Sequence, residues 1–376
     1  MLILASTNDN MNILPDYITN TNIRNIASGI IEGSRITTDE AMTLYSECEL
    51  PLLGIMAGII RRRINNNYVW YNRNFHLEPT NICIYNCKFC SYRRRSGDPD
   101  SWDYSHDEMM DIVRSFDKTD VTEVHIVGGV HPSHDIYWYG ELIHKIKLHR
   151  PSLHIKAYSA VELDYMIKKS GLSLEEGLIY LKKCGLDSIP GGGAEIFDES
   201  IREKICPEKT SSERWLHIHE ISHKLGITSN ATMLYGHLES YSHRIDHMTR
   251  LRDLQDKTKG FNAFIPLKYK KSNNKMGYLG EVSIMEDLRN YAVSRIFLDN
   301  IPHIKAYWPM TGKEVAQLSL FFGTDDLDGT IEDTTRIYSM AGAEDQNPAM
   351  SADAICKLIG DTGYIPLERD SLYRKR

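Results

Sequence analysis

The sequence predicts an α/β fold, a TIM-type (β/α)8 barrel with a helical N-terminal extension. Extended apolar segments alternate with helical ones from about residue 74 onward, which is the pattern of a parallel sheet covered by helices. Eight extended segments are found, and eight β-α units occupy about 250 residues. Because the chain has 376 residues, we expect residues 1–70 to form the extension packed on the barrel, residues 71–340 the barrel, and residues 341–376 a helical C-terminal tail.

The predicted strands are short apolar runs bounded by turn residues. They are Phe75–Pro79, Glu123–Val127, His154–Tyr158, Ser188–Pro190, Ser229–Leu234, Ala263–Leu267, His303–Tyr307 and Leu318–Phe322. Several helices between them carry a capping box, in which a Ser or Thr and a Glu three residues later satisfy each other's free backbone N–H groups. These pairs are Ser105 with Glu108, Ser173 with Glu176, and Thr210 with Glu213. In the extension, Thr37 to Glu40 predicts another helix start.

The composition is that of a soluble globular protein, with 41% hydrophobic and 25% charged residues. A formal net charge of −7 offers no attraction for polyanions, so no nucleic-acid partner is expected. The N-terminus shows no export signal, and the longest apolar run, Leu50–Ile60, is too short to span a bilayer. We therefore expect a cytoplasmic protein without membrane contact, whose cysteines are thiols.

Three of the seven cysteines lie close together, as Cys83-x-x-x-Cys87-x-x-Cys90 just after the first predicted strand. Three thiolates from one loop can bind three corners of a cubane iron–sulfur cluster, and without a fourth cysteine nearby one iron stays open. A zinc site completed by His76 or His106, or plain buried thiols, are the alternatives. The scattered cysteines read as small buried hydrophobes; they are Cys48, Cys184, Cys206 and Cys356.

The cysteine motif, with Phe89 before its last cysteine, resembles that of the radical S-adenosylmethionine (SAM) superfamily. The resemblance implies a [4Fe-4S] cluster on Cys83, Cys87 and Cys90 whose open iron chelates SAM, with Phe89 near the adenine. The reduced cluster would split SAM and release a 5′-deoxyadenosyl radical. The fold implied is the radical SAM form of the barrel.

Two further segments resemble the SAM-binding parts of that family. Gly128 and Gly129 follow the second strand, where the family holds the SAM amino group; an ordinary strand-ending turn is the alternative. Ser159 and Glu162 follow the third strand and resemble the SAM-facing polar residues. Glu162 as a helix-start carboxylate is the competing interpretation.

Three later blocks narrow the resemblance to the radical SAM enzymes of the futalosine route to menaquinone and their relatives in deazaflavin synthesis. The blocks are PGGGAEIF from Pro190, NATMLYGH from Asn230 and GTDDLDGT from Gly323. Three glycines leave room for a bulky ligand, and the last block lacks the spacing of a calcium-binding EF-hand. The candidate catalytic residues are Glu195, Asn230, Tyr235 and His237. The role of His131, in the turn GGVHP, is left open.

Within this group, the GGVHP and TMLYGH segments resemble the aminofutalosine synthases more than the dehypoxanthine futalosine cyclases. The resemblance implies addition of the adenosyl radical to 3-[(1-carboxyvinyl)oxy]benzoate, then rearrangement and loss of bicarbonate, giving 6-amino-6-deoxyfutalosine and methionine. SAM is then consumed as a substrate. The expected partners are this small-molecule aryl enol ether and an electron donor such as flavodoxin or ferredoxin, and a homodimer is left open.

One motif points elsewhere. His219-Glu220-x-x-His223 fits the pattern of zinc peptidases, with Glu239 as a distant third ligand. Helical geometry makes Ile218, Ile221 and Leu225 the buried stripe, and we expect both histidines on a solvated helix face. A peptidase is therefore the distant alternative.

Overall fold

A computed structural model describes residues 14–331, 336–343 and 348–376. The N-terminal segment, in which no export signal is expected, lies outside these residues. The strands are β1 (Tyr68–Asn72), β2 (Asn74–Leu77), β3 (Glu123–Ile126), β4 (His154–Ala157), β5 (Ser188–Ile189), β6 (Thr228–Tyr235), β7 (Phe261–Lys268), β8 (His303–Ile304), β9 (Asp326–Gly329) and β10 (Ile365–Glu368).

Strands β2 to β8 form one parallel sheet in chain order, and each of the seven overlaps a predicted strand. A parallel sheet whose strands follow one another with helices between them curls into a TIM-type barrel, so the predicted fold class is confirmed. Such a fold brings the ends of all the strands to one face. The segments after β2, β3, β4, β5 and β6 therefore meet there.

The helices cover the outside of this sheet. They are α1 (Thr21–Glu32), α2 (Thr38–Glu47), α3 (Leu50–Asn65), α4 (His106–Ser115), α5 (Ile136–His149), α6 (Ala160–Lys169), α7 (Leu174–Cys184), α8 (Glu199–Ile205), α9 (Ser212–Lys224), α10 (Tyr241–Thr258), α11 (Ile284–Phe297), α12 (Trp308–Thr311), α13 (Lys313–Ser319), α14 (Ile337–Met340) and α15 (Ala352–Gly360). None of the helices in the described ranges combines the length and hydrophobicity needed to cross a lipid bilayer.

The eighth predicted strand, Leu318–Phe322, is wrong. Its residues belong to α13 and to a 3-10 turn, Leu320–Phe322. Leu318 and Phe321 are exposed, whereas Val315, Ala316, Ser319 and Leu320 are buried at helical spacing. The apolar run LSLFF therefore reflects a helix that buries one side, not an extended segment.

The acidic block that follows supplies the closing strand instead. Strand β9 pairs in parallel with β1, and Asp326 forms a single parallel bridge with Lys305 beyond β8. Strand β1 also pairs with β10. The three-stranded sheet β10-β1-β9 thus stands between the two edges of the larger sheet.

Most of the predicted helix starts are confirmed. Thr37, Ser105 and Ser173 each form both halves of a capping box. The pair Thr210 and Glu213 is wrong by one residue, because Ser211 caps α9 while the Thr210 hydroxyl donates to Asp164.

The N-terminal helices pack on the barrel through α3, which lies against α11. Arg61 in α3 is fully buried, although the run Arg61–Arg63 suggests a solvated surface. Its guanidinium donates to the backbone oxygens of Thr324 and Tyr68. The division at residues 70 and 340 stays a prediction; the segment after residue 348 holds helix α15 and strand β10.

A buried carboxylate fastens the closing strand. Asp325 accepts hydrogen bonds from the Arg295 guanidinium at 2.5 Å and from the Ile304 backbone N–H at 2.8 Å. His303 Nδ1 lies 2.5 Å from its other oxygen. The Arg295 and Asp325 side chains are both fully buried, so each charge depends on the other.

Replacing Asp325 by Asn should therefore lower the free energy of unfolding by about 3–5 kcal/mol, because it leaves the Arg295 charge buried and unpaired. Urea unfolding followed by circular dichroism measures the change. Asp253→Asn, at an exposed position of α10, is the matched control and should shift stability by less than about 0.5 kcal/mol. Equal losses in the two variants would contradict this account of the closure.

Candidate functional site

The three clustered cysteines lie in the long irregular segment between β2 and α4, at the end of the barrel strands. Backbone hydrogen bonds fix their loop: Cys83 N–H donates to Arg94 O at 3.1 Å, and Cys90 N–H to Cys87 O at 3.2 Å. Ile84 N–H donates to Val130 O at 3.0 Å, which joins the loop to the segment after β3. The loop is thus part of the barrel mouth.

The donor set fits a cluster with three protein ligands. All seven cysteines of the chain lie in the described ranges and are free thiols, and the three in the loop are half-buried. Burial raises the pKa of the Cys83 and Cys87 thiols above the ordinary value. A metal would deprotonate them on binding. A cavity of about 330 Å³ lies beside Cys87 and Cys90.

Gly128 and Gly129 are required by the protein itself. A Cβ at Gly128 would lie 2.7 Å from Thr80 O, and one at Gly129 would lie 2.3 Å from Ile82 O. Gly129 N–H donates to Thr80 O at 2.7 Å. The glycine pair therefore lets the end of β3 touch the backbone that leads into the cysteine loop. Contact of the pair with SAM stays a prediction.

Ser159 and Glu162 form a capping box at the start of α6, as in the helix-start interpretation of Glu162. The Ser159 hydroxyl and N–H donate to Glu162 Oε2 at 2.6 and 2.7 Å. The other oxygen accepts from Gly128 N–H at 3.1 Å. Burial raises the pKa of Glu162 to about 7, although these hydrogen bonds oppose the shift. One carboxylate therefore connects the segments after β3 and β4.

The glycine triplet is less open than its sequence suggests. Gly191 and Gly193 have φ of +86° and +88°, and a Cβ on them would lie 2.1 Å from Asn230 O and 2.5 Å from a Val161 methyl carbon. A Cβ at Gly192 would be 3.6 Å from Ser159. Two of the three glycines thus allow close backbone packing, which accounts for them without a ligand.

Glu195 is held in an unusual backbone conformation beside the cysteine loop. Its φ of +49° lies in the left-handed region, which is costly for a residue with a side chain. Its backbone oxygen accepts from Leu234 N–H at 2.7 Å, and its carboxylate accepts from Lys209 Nζ. Both side chains of this ion pair are largely buried.

The side chains of Tyr235 and His237 form hydrogen bonds within the protein. The Tyr235 hydroxyl donates to Asp287 Oδ1 at 2.8 Å, and Lys268 donates to the other oxygen at 2.7 Å. His237 Nε2 lies 3.0 Å from Leu234 O, and burial lowers its pKa despite the nearby Glu239 carboxylate. A neutral imidazole follows. Asn230 is buried in β6 next to Gly191.

Lys209 is the residue that sequence reasoning missed. It lies in the connection between α8 and α9, where a lysine is ordinarily a solvated residue, and no motif marks it. Its side chain is 13% exposed, and its Nζ lies 5.3 Å from the centre of the Phe89 ring. Burial lowers the pKa of Lys209, but the Glu195 carboxylate raises it above the usual value.

His131 takes part in a cluster at the rim of the mouth. Asp103 Oδ1 lies 2.8 Å from His134 Nε2, and Oδ2 lies 3.5 Å from His131 Nε2. His131 Nδ1 accepts from Ser133 N–H at 3.1 Å, which puts the ring proton on Nε2. The Asp103 carboxylate is therefore hydrogen-bonded to His134 and lies near the protonated Nε2 of His131, whereas a metal ion would need that Nε2 unprotonated.

The expected solvent exposure of both histidines in the peptidase-like motif is wrong. His219 is fully buried, and Ser229 Oγ lies 2.8 Å from His219 Nδ1 and from His223 Nε2. Glu220 points away and pairs with Lys224 at 2.7 Å. The buried side of α9 is formed by its own residues Ser212, Trp215, Ile218, His219 and Ser222. The distant ligand Glu239 pairs with Arg244 at 2.8 Å, so no zinc site forms from these residues.

Comparison with known proteins agrees with this fold. Residues 77–251 match the radical SAM superfamily model, and residues 258–376 match the model described as the CofH/MqnC C-terminal region. The chain belongs to the radical SAM superfamily, whose enzymes use a [4Fe-4S] cluster and SAM.

Its relatives place it in one subgroup. It is similar to aminodeoxyfutalosine synthase of Thermus thermophilus, with 41% identity over 93% of this chain and 95% of the relative. Cyclic dehypoxanthine futalosine synthase of Streptomyces coelicolor is 38% identical over 91% and 86%. The 5-amino-6-(D-ribitylamino)uracil–L-tyrosine 4-hydroxyphenyl transferase of Methanopyrus kandleri is 35% identical over 93% and 94%.

Among solved structures, methylornithine synthase (PylB) has a TM-score of 0.72 at 15% identity, covering 91% of this chain and 97% of that one. This likeness supports the fold.

Replacing Cys83, Cys87 or Cys90 by Ala should remove most of the iron and sulfide from protein reconstituted without oxygen, because each change removes one of three cluster ligands. Iron and acid-labile sulfide assays and the visible absorption spectrum measure the loss. Cys206→Ala is the matched control, since this buried thiol lies near Cys87 but outside the loop. Loss of iron in the control alone would contradict the assignment.

The raised pKa of Glu162 should make the metal-free protein less stable as pH rises. The folded chain holds this proton up to pH about 7, whereas an unfolded chain releases it near pH 4.5, so stability present at pH 4.5 is lost by pH 8. The shift corresponds to roughly 2–4 kcal/mol.

Urea unfolding between pH 4.5 and pH 8 tests this. Glu162→Gln keeps the shape of the side chain but cannot ionise, so its stability should fall less over this range than that of the wild type. Parallel pH profiles would show that Glu162 does not titrate as described.

Proposed function

We propose that this chain catalyses the aminodeoxyfutalosine synthase reaction. The adenosyl group of SAM is joined to 3-[(1-carboxyvinyl)oxy]benzoate, and rearrangement with loss of bicarbonate gives 6-amino-6-deoxyfutalosine and methionine. The observation that carries the proposal is the 41% identity to the Thermus thermophilus enzyme over nearly the full length of both chains.

The proposed metal ligands are Cys83, Cys87 and Cys90. When bound, the reduced cluster supplies the electron that breaks a carbon–sulfur bond of SAM. The protein's part is to position the two reactants and to exclude water. Buried strand ends and direct backbone contact between the loop and Gly128–Gly129 support such a rigid arrangement.

SAM would be held by the segments after β3 and β4, with Phe89 beside the adenine and Gly128 and Gly129 beside the amino group. Glu162 Oε1 and Oε2 already accept three hydrogen bonds from the chain. A carboxylate has about four lone-pair sites, which leaves capacity for a ribose hydroxyl. Ser159 acts in this proposal by holding Glu162 in place.

The second substrate carries two carboxylates, which require hydrogen-bond donors or cations. Asn230, near the start of β6, and His237, two residues after its end, are the proposed contacts. Tyr235 supports the same strand through Asp287, and Glu195 is the proposed base or water-orienting group. All four are buried or nearly so, as groups at a water-excluding site should be.

The electron would come from an acidic one-electron carrier such as flavodoxin or ferredoxin. The cavity beside Cys87 and Cys90 is also lined by Arg93, Arg94 and Lys275. These cations contrast with the net charge of −7 and favour an acidic protein surface at this place. A homodimer stays a prediction.

A second candidate function is supported by the 38% identity to the cyclic synthase. That enzyme class would close a ring after hydrogen abstraction, and it would not attach adenosine to its substrate. The two functions therefore differ in the product that contains the adenosyl group: the covalent adduct in the first, and free 5′-deoxyadenosine in the second.

The test is anaerobic incubation of reconstituted protein with SAM and dithionite, with and without 3-[(1-carboxyvinyl)oxy]benzoate, followed by mass spectrometry. We expect a covalent product of adenosine and substrate that forms only when both reactants are present. In parallel, dehypoxanthine futalosine and 5-amino-6-(D-ribitylamino)uracil with tyrosine should give 5′-deoxyadenosine at background level. Turnover of either, without the adenosine adduct, would overturn the proposal in favour of that activity.

A further inference from the structure

The segment that carries Lys209 is packed directly onto the cysteine loop. Lys88 N–H donates to Ile205 O at 2.8 Å, and Asn86 N–H donates to Glu208 Oε2 at 3.1 Å. These contacts join residues on either side of Cys87 to the end of α8 and to the Glu208 side chain. The segment that contains Lys209 is therefore packed against the loop by contacts other than those of the Lys209 side chain.

The side chain of Lys209 places a positive charge inside this contact. Its Nζ donates to Glu195 Oε1 and lies 5.3 Å from the centre of the Phe89 ring, within reach of a cation–π interaction. Phe89 is the residue between Lys88 and Cys90. Water screens a charge that is 13% exposed far less than a charge on the surface.

Glu195, the partner of Lys209 in the ion pair, is also held in a fixed position. Glu195 adopts left-handed backbone geometry, a conformation that persists only where the surroundings enforce it. Its backbone oxygen is tied to Leu234 N–H at the end of β6. The backbone thus holds the carboxylate where it accepts a hydrogen bond from Lys209, which lies in the same connection between β5 and β6.

Both charges lie beside the cysteine loop. Lys209 Nζ donates to the Glu195 carboxylate and is 5.3 Å from the centre of the ring of Phe89, which precedes Cys90 in the chain. A cluster on the sulfurs of this loop becomes more negative when it is reduced. A nearby ammonium group therefore stabilises the reduced form, and a nearby carboxylate destabilises it.

We propose that the buried Lys209–Glu195 ion pair sets the reduction potential of the cluster held by Cys83, Cys87 and Cys90. Lys209 is a positioning residue in this sense, since it acts through the cluster and needs no contact with substrate. This inference rests on the cluster binding described under the proposed function, but not on the identity of the substrate.

The test is a redox titration of reconstituted protein, in which the signal of the reduced cluster is followed by electron paramagnetic resonance at defined solution potentials. Lys209→Met leaves Glu195 uncompensated and should make the midpoint potential more negative. Glu195→Gln leaves Lys209 uncompensated and should make it less negative. At a fixed solution potential, each change should alter the ratio of reduced to oxidised cluster by about tenfold, which is the order of the Coulomb interaction between partly screened unit charges roughly 10 Å apart.

The double variant, Lys209→Met with Glu195→Gln, removes both charges and should return the midpoint potential toward the wild-type value. Lys88→Met is the matched control. It removes a lysine from the cysteine loop itself, at an exposed position where water screens the charge, and should leave the potential nearly unchanged.

Opposite shifts in the single variants with cancellation in the double variant support the proposal. Unchanged potentials in all three, with full iron content, would overturn it while leaving the cluster and the proposed function intact. If Lys209→Met does not fold, Glu195→Gln and the double variant still decide the question. A wild-type protein that binds no iron would overturn this inference together with the cluster assignment.

Discussion

The position of the cysteine loop depends on a direct backbone contact between the end of β3 and the segment that carries the cysteines. The two backbones are so close that no Cβ atom fits between them. The hypothetical Cβ atoms of Gly128 and Gly129 would lie 2.7 and 2.3 Å from backbone oxygens of that loop, well inside van der Waals contact. Backbone hydrogen bonds then replace side-chain packing across this seam. Because backbone atoms have little freedom to shift, this contact fixes the position of the cysteine loop relative to the barrel strands.

The barrel keeps an unusual number of charges away from water, and it does so by pairing them. Asp325 meets Arg295 at its closing edge, Lys156 meets Glu123 at 2.8 Å within the barrel, and Arg369 meets Asp326 at 2.7 Å beneath the last strand. Each pair costs desolvation that its Coulomb attraction repays only while both members stay in place. The ion pair of Glu195 and Lys209 is buried in the same way. It differs from the other pairs because it lies beside the cysteine loop, where its charges would act on a cluster bound there.

The sequence was most informative where local chemistry decides the structure. Seven barrel strands, the capping boxes at Thr37, Ser105 and Ser173, and the cysteine loop follow from short-range patterns. It misled where tertiary packing decides. The run at Leu318–Phe322 is apolar in either conformation, and the face of α9 that buries His219 is chosen by Ser229 and Phe261 on neighbouring strands. Burial of Lys209 depends on packing against the cysteine loop, which is distant in sequence, and no local pattern reveals it.

Strand β1 has consequences for how the molecule is made. It pairs with β10, and Tyr71 and Glu368, which lie 297 residues apart, are hydrogen-bonded across these strands. On the ribosome, the cysteines emerge long before the segments that complete the barrel around them. Contacts of such long range form slowly. The nascent chain therefore passes through a stage in which the three thiols are not yet partly buried by the folded barrel. Until the last strand has been synthesised, these thiols are therefore more accessible to oxidants than in the folded protein.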